Sequence, residues 1–193
     1  MTVDSDLELM LRVRSGDADS FEVLLNRYRA PLVGYFSRMV RDPALAEDLA
    51  QEVFLRVYRA RDRYRPNARF TTWLYRIATN LALNAIRDRK GDGPLEVESD
   101  LDMEPAAARI PDKKPSAEQH LMDSDRERLI REAVEELPEN QRAAVILHKY
   151  QEVDYRQIAK VLNVSEGAVK SLLFRAYENL RRRLEPFMKG GQL

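Results

Sequence analysis

Apolar side chains recur every three to four positions along most of this chain, the period of an amphipathic helix. The first such run, LELMLRVRSG, stops at Gly16. The second, FEVLLNRYRAPLVGYFSRMV, puts Phe21, Leu24, Leu25, Tyr28, Leu32, Tyr35, Phe36 and Met39 at helical spacing. Asp19 is the expected cap of this helix, and Pro31 is expected to kink it. Asp42-Pro43 opens a third helix, the Asp as cap and the Pro in the first turn. That helix carries Leu45, Leu49, Val53, Val57 and Ala60. The pattern breaks at YRPNAR, and a fourth helix is expected to start near Thr71 or Thr72, either of which can cap it. Residues 91–118 lose the period altogether and are rich in Gly, Pro and acidic residues.

Periodicity returns near Glu118. Toward the end, VDYRQIAKVLNVSEGAVKSLLFRAYENLRRRL reads as two short helices around a tight turn. Asp154 caps the first, which carries Ile158, small Ala159 and Leu162. Asn163 takes the left-handed conformation that ends it. Val164 is expected to plug the turn, and Ser165 to cap the second helix. This order of apolar, small, turn and apolar positions fits a helix-turn-helix. No stretch alternates in the manner of a strand. The expected class is all-α: two small helical domains, residues 1–90 and 123–193, joined by an acidic flexible linker, residues 91–122.

Composition narrows the chemistry. There is no Cys, which excludes disulfides and thiolate metal sites. The two His, His120 and His148, are far apart in sequence and have no neighbouring ligand set. No metal, cofactor or catalytic cluster is expected. No apolar run approaches membrane-spanning length, so no membrane insertion and a cytoplasmic location are expected. Net charge is zero, but it is unevenly placed. Residues 1–90 hold 16 Lys+Arg against 12 Asp+Glu, residues 91–122 hold 3 against 8, and residues 123–193 hold 13 against 12. From Arg59 to Lys90 there are nine basic residues and only two acidic ones, Asp62 and Asp88. Local clustering of this kind is what a nucleic-acid surface needs.

Within that basic stretch, ARFTTWLYRIATNL brings Phe70, Trp73 and Tyr75 among arginines. Basic residues mixed with aromatics hold single strands by stacking. Arg76, Asn80, Asn84 and Arg87 are spaced four, four and three apart, which makes one helix stripe. Leu74, Ile77, Ala78, Leu81 and Ala85 form the opposing apolar stripe. An Asn amide donates and accepts, so it can pair with an unstacked base. Arg65, Asn67 and Arg69 add charge from the preceding loop. The other reading places the aromatics in a core. In the helix-turn-helix, Lys170, Ser171, Phe174 and Arg175 project near the start of the second helix, where such residues read base edges in the major groove. Leu173 is expected in the core, and Arg181, Arg182 and Arg183 at phosphates or in solvent.

Both halves resemble one family. FEVLLNRYRAPLVGYFSRMV, DPALAEDLAQEVFLRVYRA and RFTTWLYRIATNLALNAIRDRK look like successive parts of the sigma-2 domain of bacterial sigma factors. LPENQRAAVILHKYQEVDYRQIAKVLNVSEGAVKSLLFRAYENLRRRL looks like a sigma-4 domain. With a short linker and no room for a sigma-3 domain, the chain resembles the extracytoplasmic-function sigma factors of the sigma-70 family. The resemblance implies a subunit, not itself an enzyme, that directs RNA polymerase to promoters. It implies that Asp48, Gln51, Glu52, Phe54 and Leu55 dock on the clamp helices of the largest polymerase subunit, with Phe54 as the apolar anchor, and that the flap of the second-largest subunit is a further contact. It implies that Arg65, Asn67, Arg69, Phe70, Trp73, Arg76, Asn80, Asn84 and Arg87 melt and read the minus-ten element. Asn80 would help hold a flipped base of the melted non-template strand. Lys170, Ser171, Phe174 and Arg175 would read the duplex minus-thirty-five element, with His148 and Lys149 at its backbone. An anti-sigma protein is a further implied partner. One position departs: family members commonly have Arg after the Ser of the recognition helix, and here it is Leu172. For the linker, a path through the polymerase's RNA channel and an inert tether both stand.

Two rivals remain at this level. A stand-alone helix-turn-helix regulator accounts for the C-terminal half only. A helical nucleic-acid enzyme needs an acid-base or metal cluster that the sequence does not offer.

Overall fold

The computed structural model describes residues 5–65, 69–91 and 123–189. The expectations placed on Asn67 and on residues 92–122 lie outside them. Every regular element among the described residues is helical. The first half holds α1 (Asp6–Arg14), α2 (Ala18–Val40), α3 (Pro43–Arg59), a 3-10 turn (Arg61–Arg63) and α4 (Phe70–Lys90). The second holds α5 (Asp123–Glu135), α6 (Glu139–Lys149), α7 (Tyr155–Leu162) and α8 (Glu166–Lys189). No helix among the described residues is long and apolar enough to cross a membrane.

The helix starts follow side-chain chemistry, with two corrections. The cap of α2 is Asp17, not Asp19. Its carboxylate accepts from the Asp19 and Ser20 N–H groups at 3.0 and 3.3 Å and from the Ser20 hydroxyl at 2.7 Å. Gly16, at φ 99°, turns the chain just before it, which leaves Asp17 in the extended conformation a cap needs. Asp19 falls in the first turn, where a carboxylate still faces the positive end of the helix. The second correction is α4. It starts at Phe70, with Arg69 at the cap position and no side chain bonding the first N–H groups. Burying Phe70 and Trp73, worth about 1.5–3 kcal/mol each, outweighs the ~1 kcal/mol that a Thr cap would contribute. Asp42 caps α3 by accepting from Leu45 N–H at 3.1 Å, and Pro43 is its first residue, as expected.

The first core lies where α2, α3 and α4 meet. Leu32, Tyr35, Phe36, Met39, Val53, Val57 and Leu74 are sealed from solvent there. One polar pair is sealed with them: the Tyr35 hydroxyl and Thr79 Oγ1, 2.8 Å apart. Burial pushes the Tyr35 pKa up, so the hydroxyl keeps its proton. Thr79→Val is nearly isosteric but strands that hydroxyl, so it should destabilise the fold by about 1–3 kcal/mol. A denaturant midpoint equal to that of the wild type would show that the pair contributes nothing.

The second core forms around α6, whose residues 142–147 are all buried. Ile158, Val161, Val169, Leu173 and Ala176 close it from α7 and α8. Asp154 caps α7 through Gln157 N–H at 2.8 Å, Asn163 ends it at φ 54°, and Ser165 caps α8 through Ala168 N–H at 3.1 Å. Val164 does not plug the turn. It is exposed, and the buried groups flanking the turn are Val161 and Val169.

The halves also pack on each other, α4 against α7 and α2 against α6 and α5. Arg142 is buried between them. It donates to the Met39 carbonyl at 2.7 Å, to the Leu137 carbonyl at 3.0 Å and to the Glu135 carbonyl. The carbonyls at a helix end lack partners within the helix, and a guanidinium with five donors serves several at once.

Candidate nucleic-acid and polymerase interfaces

The stripe on α4 forms as the spacing requires. Arg76, Asn80, Asn84 and Arg87 are half-exposed along one side, while Leu74, Ile77, Ala78 and Leu81 are buried opposite. Ala85 is only partly covered. Arg65 is exposed in the loop, and Arg69 is half-exposed at the head of the helix. Asn84 differs from Asn80 in one respect: its Oδ1 is buried with no hydrogen-bond partner. The stripe therefore offers guanidiniums and an amide to a ligand approaching from solvent.

The aromatics do not join it. Phe70, Trp73 and Tyr75 are 2%, 4% and 3% exposed. Trp73 lies 5.3 Å from the Tyr64 ring and 6.1 Å from Phe70, and Phe70 lies 5.5 Å from Tyr28. Rings of this size prefer each other's edges to water, and each removes about 150–250 Å² of surface from solvent. The expectation that Phe70 and Trp73 stack on bases is thereby corrected for this conformation. They fix the head of α4 and so hold Arg69, Arg76 and Asn80 in place. Their Arg neighbours in sequence point elsewhere because successive helix positions lie about 100° apart.

On α8, Lys170, Ser171, Phe174 and Arg175 are all exposed. Phe174 is 69% exposed, a large apolar ring held in water among charges. No neighbouring side chain among the described residues covers it. The Ser171 hydroxyl donates back to the Gly167 carbonyl at 3.1 Å, leaving its lone pairs outward. Leu173 is core, and Leu172 packs partly against the same core. Lys149 is exposed. His148 is turned inward, 3.4 Å from the Val153 carbonyl and edge-on to Tyr155 at 5.0 Å. Arg183 pairs with Glu136 at 2.8 Å, while Arg181 and Arg182 are exposed.

A third surface lies between α2 and α3. Asp48 and Gln51 are exposed, and Glu52 pairs with Arg56 at 2.8 Å. Phe54 is not the exposed anchor: it is 6% exposed and meets Phe21 edge-on at 6.4 Å. The apolar groups that face out are Leu55 and Tyr58, 50% and 44% exposed. They edge an apolar groove of about 1030 Å³ whose other wall is Phe21, Leu25 and Val33 of α2. The α2 wall was not among the sequence-derived docking residues. Its signal is present, because Phe21, Leu25 and Val33 are apolar beyond what the buried stripe of α2 uses.

Residues 24–91 match the Sigma-70 region 2 family and residues 127–180 match Sigma-70, region 4. The RNA polymerase sigma-H factor of Pseudomonas aeruginosa is 33% identical over 193 residues, which covers 98% of this chain and 98% of that protein. The ECF RNA polymerase sigma-E factor of Haemophilus influenzae is 30% identical over 186 residues, covering 95% and 97%. The fold is similar to that of the sigma factor RpoE of Bartonella quintana, solved with the anti-sigma factor NepR. That likeness has a TM-score of 0.63 and 21% identity over 87% of this chain and 98% of that one. Two family matches in the right order, with relatives alike from end to end, leave one assignment. The chain belongs to the extracytoplasmic-function subfamily of the sigma-70 family of RNA polymerase sigma factors, and it serves transcription initiation.

Proposed function

We propose a division of labour among the three surfaces. The groove of α2 and α3, with Leu55 and Tyr58 at its lip and Asp48, Gln51 and Glu52 beside it, seats the factor on the clamp helices of core polymerase. Carboxylates flanking an apolar anchor suit a basic partner with a hydrophobic ridge. The α4 stripe reads and holds the minus-ten element as it opens. Arg65, Arg69, Arg76 and Arg87 meet phosphates or exposed bases, and the Asn80 amide pairs with a base that has left the stack. Buried Phe70 and Trp73 support that stripe from behind. The exposed face of α8 reads the minus-thirty-five element: Lys170 and Arg175 meet guanine acceptors or phosphates, and Phe174 meets a thymine methyl. In this role the polymerase carries the chemistry. An anti-sigma partner that covers these surfaces belongs to the same reading, supported by the NepR complex of the similar fold.

The observation that carries this reading is the juxtaposition of two exposed cationic faces, on α4 and α8, in one chain whose halves match sigma-70 regions 2 and 4. Transcription by core polymerase from a random promoter library tests it. The expected transcripts share two spaced elements. Duplex binding without any polymerase-dependent transcript would make the chain a stand-alone regulator.

A further inference from the structure

We propose that α1, which lies before the stretch that matches region 2, positions the base-reading end of α4, with Asp6 and Arg14 as its two anchoring residues. This rests on the reading above that Arg65, Arg69 and the α4 stripe hold the minus-ten element.

The chemistry of α1 separates cap from anchor. Ser5 and Glu8 close its first turn: the Ser5 hydroxyl accepts from Glu8 N–H at 3.3 Å, and the Glu8 carboxylate accepts from Ser5 N–H at 2.9 Å. Asp6 is therefore not needed as a cap. Its two carboxylate oxygens turn to α2 instead, one to the Arg27 guanidinium and one to the Tyr28 hydroxyl. Leu9, Met10 and Val13 are buried and hold the helix on the core. At the far end, Arg14 donates to the Tyr64 carbonyl at 3.4 Å. Asp6 and Arg14 are the first and last residues of one helix, about 12 Å apart at 1.5 Å per residue.

These anchors bracket the reading segment. Tyr64 immediately precedes Arg65, and Phe70 immediately follows Arg69. Arg14 holds Tyr64 directly. Asp6 holds Phe70 through Tyr28, whose ring lies 5.5 Å from that of Phe70. Tyr64 and Phe70 also meet each other at 6.3 Å and share Trp73 as a neighbour. Asp6, Tyr28, Arg69 and Phe70 line one cavity of about 500 Å³, which places the anchor beside the arginine it serves. Burial alone would be met by Phe at position 28. The Tyr28 hydroxyl, kept protonated by burial and by the Asp6 carboxylate, adds direction rather than area. A ring packed on Phe70 and tethered at its hydroxyl is fixed in direction as well as depth. A binding group needs support of that kind, held to within about 0.5 Å.

Asp6→Ala and Tyr28→Phe test the anchor in the full-length factor bound to core polymerase. The probe is a single-stranded oligonucleotide carrying the minus-ten element that the wild-type holoenzyme selects. Each variant should bind it about five- to tenfold more weakly and keep its affinity for a minus-thirty-five duplex. Both are measured well below the thermal transition of each variant. Undiminished affinity for the oligonucleotide would overturn the proposal. So would an equal fall in both affinities, which would make Asp6 a stabilising residue only. In a background with Arg65→Ala and Arg69→Ala, Asp6→Ala should cost little further, because the groups it positions are gone. A full additional loss there would show that Asp6 acts on something else and would likewise count against the anchor. Acrylamide quenching of Trp73, the only Trp, needs neither DNA nor polymerase. It should rise in both variants as the ring cluster loosens, and unchanged quenching would refute the anchoring. A wild type that holds no minus-ten strand would sink the α4 reading instead, and the quenching would still judge α1.

Discussion

Replacing Trp73 with Ala should lower the stability of the factor by about 3–5 kcal/mol, and most of its loss of transcription should follow from unfolding. The side chain is 4% exposed and sits in a cluster with Tyr64 and Phe70 at the head of α4. Removing it leaves a cavity that the surrounding rings cannot fill without leaving their own edge contacts. Trp73→Phe keeps most of the volume and should recover most of the stability. The same pair of variants separates support from stacking. A stacking Trp at a solvent-exposed edge would cost little stability on truncation and much affinity for single-stranded minus-ten DNA. A Trp73→Ala protein with an unchanged thermal transition and lost single-strand binding would return Trp73 to the DNA surface. Because this is the only Trp in the chain, its fluorescence reports the cluster directly.

Leu55→Asp should weaken binding to core polymerase by at least ~2 kcal/mol, roughly 30-fold, and leave the fold intact. Leu55 is 50% exposed, so a carboxylate there stays solvated in the free factor. In the complex it would be driven into the apolar partner of the groove and lose its water, which is the costly step. Phe54→Asp is the contrasting variant. Phe54 is 6% exposed against Phe21, so its replacement should unfold the first half before any docking is measured. Competition with a reference sigma factor for limiting core enzyme measures both. Full competitive strength in Leu55→Asp would move docking away from the α2–α3 groove.

Helical period and cap chemistry placed α3 and the helix-turn-helix closely, because Asp42, Asp154, Asn163 and Ser165 each have one local thing to do. Those residues act on backbone groups three positions away, and such chemistry is written in the sequence. Which aromatic turns inward is decided by partners far along the chain. Phe70 meets Tyr28 and Trp73 meets Tyr64, and no local spacing reveals that. Phe54 and Leu55 make the same point: adjacent residues on one helix fall on opposite sides of the surface, and α2 decides which. Asp19 yielded to Asp17 because a left-handed Gly16 set the chain direction one step earlier. The packing of the halves was not legible either, since a linker fixes no geometry. It emerged from Arg142, Tyr150 and Gln151, none of which carries a motif for it.

Asn80 is the most specific residue of the α4 stripe. Asn80→Ala removes an amide from a half-exposed helix position and should leave the fold unchanged. The most direct test compares run-off transcription by core polymerase with wild-type and Asn80→Ala factor across one promoter library. Both should select the same minus-thirty-five element, and the variant should lose preference at a base of the minus-ten element. Full retention of minus-ten selectivity by the variant would place the base pocket away from this stripe.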